Sequence, residues 1–144
     1  MDEQFENPVS QVREDTAWGY LASQQLGRLA VIDQDGKPDV FPINYAVDGE
    51  SIVFRSAEGS KLNDLAINNH VCFEVDGWNE ETGWSVIVSG RAEVVTDETE
   101  LRLLAALPLL PWVPTIKKNY VRITPDTEIS GRTFRFGEEP KTEN

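Results

Sequence analysis

The chain has 144 residues, a formal net charge of −12 and one cysteine, Cys72. That length suits one ordinary domain, and folding at this size buries roughly 68–70% of the unfolded surface without help from a disulfide or a metal. A lone cysteine excludes an intrachain disulfide, no apolar run reaches the roughly 18 residues of a membrane span, and the acidic balance disfavours nucleic acid and anionic membranes as partners.

The acidic opening, Met1-Asp2-Glu3-Gln4-Phe5-Glu6, lacks the basic and apolar regions of a signal peptide, so a soluble cytoplasmic protein is expected. Residues 14–26 have helical spacing, with Trp18, Leu21, Ala22 and Leu26 near one face and Gly27 as a left-handed stop. Arg28–Asp33 then reads as a short strand, and Gln34-Asp35-Gly36-Lys37 as a hairpin turn. The returning strand, Asp39–Val47, contains Pro42, which removes a ladder donor and predicts a stretch unpaired on one side. Asp48-Gly49-Glu50 is a second hairpin turn into Ser51–Ser56.

A helix is predicted over Ala57–Asn69, with Ser60 as N-cap and Leu62, Leu65 and Ala66 on its buried side. His70–Asp76 is a strand, followed by a solvated acidic connection and the long strand Trp84–Thr96. In that strand Val86, Val88, Gly90, Ala92 and Val94 share one face, and Gly90 marks a bend of the kind a barrel needs. Asp97–Leu107 is a helix capped by Asp97 or Thr96, and Pro108–Pro114 is a proline-rich loop carrying Trp112. Tyr120–Thr124 and Glu128–Phe134 complete the strands, giving one domain over residues 1–136 and a polar tail over 137–144. Hairpin-linked strands with helices inserted between them predict an antiparallel barrel with peripheral helices, mainly β, and not a doubly wound parallel sheet.

The segment Ile52–Leu62 carries the chemistry. A strand ends in Arg55 and Ser56, a loop holds Gly59, and a helix opens with Ser60 and Lys61. Free helix N–H groups, a guanidinium, an ammonium and two hydroxyls then face one space, which is an anion cradle. The same spacing also suits an ordinary strand–helix turn with a serine cap and a solvated lysine. His70 and Cys72 alternate on one strand, but two such residues do not make a zinc site. Trp112 suits either a cover over a ring-shaped ligand or burial beneath its own loop.

Over residues 14–134 this order of elements resembles the FMN-binding split barrel of the pyridoxamine-phosphate oxidase family. The resemblance implies a split β-barrel and a homodimer whose flavin sites are completed across the two-fold interface. It places the strand containing Phe54 beside the flavin and makes Arg55, Ser56, Ser60 and Lys61 candidate phosphate ligands. It runs the backbone of Phe41, Pro42, Ile43 and Asn44 along the isoalloxazine ring. Trp84 and Ser85 would reach the cofactor from the other subunit. The substrate-gripping histidine of the oxidase itself has no counterpart. The last strand ends Gly131-Arg132-Thr133-Phe134-Arg135-Phe136, and the only histidine is His70.

The expectation is therefore an FMN-dependent oxidoreductase for an unidentified small molecule, not a genuine pyridoxamine-phosphate oxidase, with no side chain assigned as catalytic. Two alternatives stand beside it. One is a carrier that binds a flavin, deazaflavin F420 or haem without turnover; the other is a cofactor-free dimer.

Overall fold

The computed structural model describes residues 7–113 and 115–139, so the readings of the first six residues, of Pro114 and of the end of the polar tail lie outside it. The elements in chain order are β1 (Val9–Val12), α1 (Glu14–Ala22), β2 (Leu26–Ile32), β3 (Pro38–Val47), β4 (Ile52–Ser56) and α2 (Ser60–Ile67). They continue with β5 (His70–Trp78), β6 (Thr82–Val94), α3 (Glu98–Leu104), β7 (Asn119–Pro125) and β8 (Ser130–Arg135). One eight-stranded sheet runs β1-β8-β6-β5-β2-β3-β4-β7, and a further β6–β7 pairing closes six of its strands into a barrel. Every pairing is antiparallel. The fold is the expected one: a mainly β split barrel with helices outside it. No helix among the described residues is long and apolar enough to cross a membrane.

The closure depends on β6. Its first half, Thr82–Ile87, pairs with β8, and its second half, Gly90–Val94, pairs with β7 along the same edge. Gly90 sits where the partner changes, and a Cβ there would lie 2.2 Å from the carbonyl oxygen of Thr124. Only glycine lets the two backbones approach that closely. Val86, Val88 and Ala92 point into the core as the alternation predicts, while Val94 is 42% exposed where the strand runs out past the barrel.

Two local readings are corrected. The first helix ends at Ala22, not near Leu26, because the Ser23 hydroxyl and N–H both bond the Tyr20 carbonyl and Leu26 already pairs with Asn44. Gly27 is consequently a strand residue, required because a Cβ would sit 2.3 Å from the Phe73 ring. Ser60 is the first residue of α2 and not its cap. The cap position is Gly59 at φ 155°, a backbone conformation that favours glycine. Asp97 does cap α3, accepting the Glu100 N–H at 2.9 Å.

The barrel core contains Leu29, Tyr45, Phe54, Phe73, Val88 and Ile123, all buried. Tyr45 donates its hydroxyl to the Leu21 carbonyl, fastening α1 to the barrel, and burial pushes its pKa well up. A second, smaller cluster of Ala46, Val53, Leu104 and Leu109 lies on the other side of β3 and β4. It roots the loop that follows α3 against the barrel wall.

Candidate functional site

The site grows from the half-paired strand. Pro38–Asn44 of β3 pairs with β2, and only Tyr45–Val47 pairs with β4. The second edge of the first half therefore has no strand partner, and Pro42, which has no N–H to offer, lies within that half. Beside this edge is a cavity of about 100 Å³. Pro42, Ile43 and Asn44 form one wall, Arg55 of β4 and Lys61 of α2 another. Leu109, Pro111, Val113 and Lys117, from the segment between α3 and β7, make the third.

Three cations converge here. Arg55 donates from Nη2 to the Lys117 carbonyl at 2.7 Å, and its guanidinium carbon lies 5.2 Å from the Tyr120 ring centre. Its Nε is buried and has no hydrogen-bond partner. The Lys61 ammonium lies 4.9 Å from the Phe41 ring centre and 5.9 Å from that of Phe54. Burial, and then the charge of Lys117, hold the Lys61 pKa below its ordinary value. Lys117 Nζ donates to the Val113 carbonyl at 3.0 Å and to the Thr115 hydroxyl.

Among the described residues none of the ion pairs involves Arg55, Lys61 or Lys117. In a chain of net charge −12, carboxylates are abundant, yet among the described residues none lines this cavity. A desolvated lysine, two further cations in no ion pair among the described residues and an orphaned buried N–H are what an anion of phosphate size would satisfy.

The residues read from the sequence distribute unevenly. Pro42, Ile43, Asn44, Arg55 and Lys61 share the cavity, with the Phe41 and Phe54 rings beneath the Lys61 ammonium. Ser56 is buried and donates its hydroxyl to the Ala57 carbonyl at 3.1 Å. Ser60 is exposed at the start of α2, and its side chain makes no cap bond. Trp84 stacks on Tyr20 with centroids 4.6 Å apart, and Ser85 lies in register with Asp76 and Arg132; neither lines the cavity. Trp112 offers its backbone N–H to Asn44 at 2.8 Å, while the residue is exposed and does not line the cavity. No group of three or more His, Cys, Asp or Glu among the described residues is placed to hold a metal.

Lys117 was not singled out by the sequence reading. The only local signal is a Lys-Lys pair ahead of a strand in a strongly acidic chain, and its role comes from β4–β7 pairing between distant segments.

Comparison with known proteins gives the family. A Corynebacterium glutamicum protein named for pyridoxamine 5'-phosphate oxidase has a structure similar to this one at TM-score 0.81 and 43% identity, covering 93% of this chain and 98% of its own. An FAD binding protein from Mycobacterium smegmatis matches at TM-score 0.76 and 41% identity, over 89% of this chain and 100% of its own. An uncharacterized Mycobacterium tuberculosis protein is 47% identical over 94 residues, 65% of this chain and 84% of its own length. The family described as pyridoxamine 5'-phosphate oxidase matches residues 13–133, and the chain therefore belongs to that family.

Proposed function

We propose that this protein binds a flavin mononucleotide and acts as a flavin-dependent oxidoreductase on a small molecule. The observation that carries the reading is the set of three cations, Arg55, Lys61 and Lys117, gathered around one cavity with no carboxylate among the described residues that line it. The Mycobacterium smegmatis relative named for FAD binding supports a flavin as the source of the anion. The residues present fit such a group. The Arg55 Nε lacks a partner, Lys61 is desolvated beside a like charge, and the free edge of Phe41–Asn44 offers main-chain polar groups.

In this reading Arg55, Lys61 and Lys117 hold the phosphate, Phe41 and Phe54 desolvate the lysine that faces it, and the β3 edge orients the ring. A bound flavin supplies the hydride or single-electron transfer, and the protein supplies anchoring, orientation and a positive field. No side chain is assigned as acid or base.

A cavity of about 100 Å³ is far below the roughly 300–1,000 Å³ of ordinary ligand pockets, so one chain forms only part of a flavin site, the phosphate end together with the β3 edge and the apolar wall beside it. This supports a homodimer in which the partner's Trp84–Ser85 strand completes the site. Vitamin B6 oxidation is not proposed, because the last strand holds no histidine and His70 lies on β5, outside the cavity. A carrier does better with a covered ring, and the aromatic candidate for a cover in the segment between α3 and β7, Trp112, is 61% exposed and does not line the cavity, which favours turnover.

The experiment is an absorption spectrum of freshly purified protein, followed by titration with FMN, FAD and riboflavin and by sedimentation. Flavin bands, tighter binding of FMN than of riboflavin, and a dimer are expected. Tighter binding of FAD than of FMN would move the reading to the dinucleotide. A Soret band, or a colourless protein that takes up no flavin, would overturn it. Turnover with a reduced nicotinamide then separates the enzyme from a carrier.

A further inference from the structure

The family resemblance puts Asn44 among the cofactor ligands, yet both polar atoms of its side chain already hold main chain. Its Oδ1 accepts the Trp112 N–H at 2.8 Å, and its Nδ2 donates to the Gln25 carbonyl at 3.2 Å. The Tyr45 N–H bonds the same carbonyl at 3.1 Å, so the turn before β2 is fixed and serves as a base. Asn44 thus bridges that base to a segment 68 residues away.

The described residues of that segment, the strap between α3 and β7, form neither helix nor strand. Pro108 and Pro111 have no N–H, which leaves few handles by which it can be held. Leu109 is rooted in the smaller apolar cluster, and the Lys117 carbonyl is held by Arg55 at 2.7 Å. Between these ends the Trp112 N–H bond to Asn44 is the polar tie to the barrel among the described residues. The flanking residues Pro111 and Val113 line the cavity, while Trp112 does not. Holding this one N–H therefore keeps both neighbours at the cavity wall, Val113 at its rim with 59% of its surface exposed.

We propose that Asn44 is a positioning residue: it seats the strap so that Pro111 and Val113 wall the cavity, and it does not itself hold the ligand. The need for one acceptor and one donor on a short, flat side chain explains an amide at this place. The inference rests on the flavin reading only for what the cavity contains; the seat itself is a statement about the strap.

The test is amide hydrogen exchange on the full chain, read at Trp112 by NMR, together with FMN and riboflavin affinities. In Asn44→Ala the Trp112 amide is expected to exchange faster by about tenfold or more, with the Val88 and Ile123 amides unchanged. FMN and riboflavin affinities should fall by the same factor, because the apolar wall contacts the part the two ligands share. Asn44→Asp keeps the acceptor but loses the donor to the Gln25 carbonyl, so Trp112 should be better protected there than in Asn44→Ala and less well than in wild type; this variant decides the matter if the alanine variant loosens the barrel. Unchanged Trp112 exchange in Asn44→Ala, or exchange in Asn44→Asp as fast as in Asn44→Ala, overturns the proposal. An affinity loss confined to FMN overturns it too and makes Asn44 a phosphate contact. If wild type takes up no flavin but Trp112 exchange still accelerates, the seat stands and the flavin reading falls.

Discussion

Two arginines on neighbouring strands have opposite surroundings. Arg122 of β7 donates to Glu100 at 3.0 Å, to Asp48 at 3.0 Å and to the Ser51 hydroxyl at 2.6 Å. It joins α3, the β3–β4 turn and β7 in one network. Arg55 of β4, paired with Tyr120 on that same β7, has one carbonyl, one ring face and an unpartnered Nε. Among the described residues the carboxylates go to Arg122 and none pairs with Arg55. A charge satisfied from within is part of the scaffold; a charge left unsatisfied marks where something from outside belongs.

That contrast is broken most directly at Arg122. Arg122→Met leaves Asp48 and Glu100 facing each other without a cation. A loss of about 2 kcal/mol is expected for a partly buried network of this kind. In a domain of this size that is a fall of about 4–8 °C in Tm, read by thermal unfolding. The ratio of FMN to riboflavin affinity should not move. If it does, the two arginines are not separate systems.

The cationic side should respond in the opposite sense. Lys61→Ala is expected to weaken FMN by about tenfold or more while leaving riboflavin nearly unchanged, since charge-assisted phosphate contacts are worth about 1.5–3 kcal/mol. The stability sign is also fixed. The folded pKa of Lys61 lies below its unfolded value of 10.5, so charging this lysine in the fold is unfavourable throughout the neutral range. The penalty is relieved only as pH rises toward 10.5. Apo Lys61→Ala should therefore be as stable as wild type at pH 7 or slightly more so, and a clear fall in its Tm would count against an uncompensated cation.

The smallest effect concerns a third arginine, Arg28, which holds Asp76 at 3.1 Å and Glu74 at 3.4 Å on the outer wall. Here acid is in excess. Burial first, then the hydrogen bond and charge of Asp76, push the Glu74 pKa up to about 7, against the opposing pull of Arg28. A raised carboxyl favours the fold below the unfolded value of 4.5, and that contribution is lost as pH rises through about 7. Glu74→Gln should flatten the pH dependence of Tm across that window and gain about 1–3 °C at pH 8. A variant less stable at pH 8 would mean that Arg28 needs both carboxylates.

Much of the architecture was legible because its signals are local. Asp35-Gly36 and Asp48-Gly49 are hairpin turns, with Gly36 at φ 76° and Gly49 at φ 62°. Alternation along β6 identified its core face, and Gly90 its bend. What failed were positions where a distant partner decides. Gly27 has the look of a helix stop, but Phe73 explains it. β1 was not anticipated, because its residues are mostly exposed and its reason for being a strand is β8. Within the site, Arg55 and Lys61 lie six residues apart and could be read together. Lys117 could not, since only the β4–β7 pairing brings it near, and the engagement of Asn44 by Trp112 was equally invisible.

The seam at Gly90 also sets the order in which the molecule can be assembled. Strand β7 pairs with both β4 and β6, so the barrel stays open during synthesis until residue 125 has been made. Arg55 and Lys61 exist well before that, but the carbonyl that holds Arg55 lies 62 residues further along the chain. Such long-range closure carries a loop entropy that local hairpins do not, and it slows folding. The cationic pocket is consequently among the last parts to form, and a nascent chain that has completed most of its strands still has no place to put an anion.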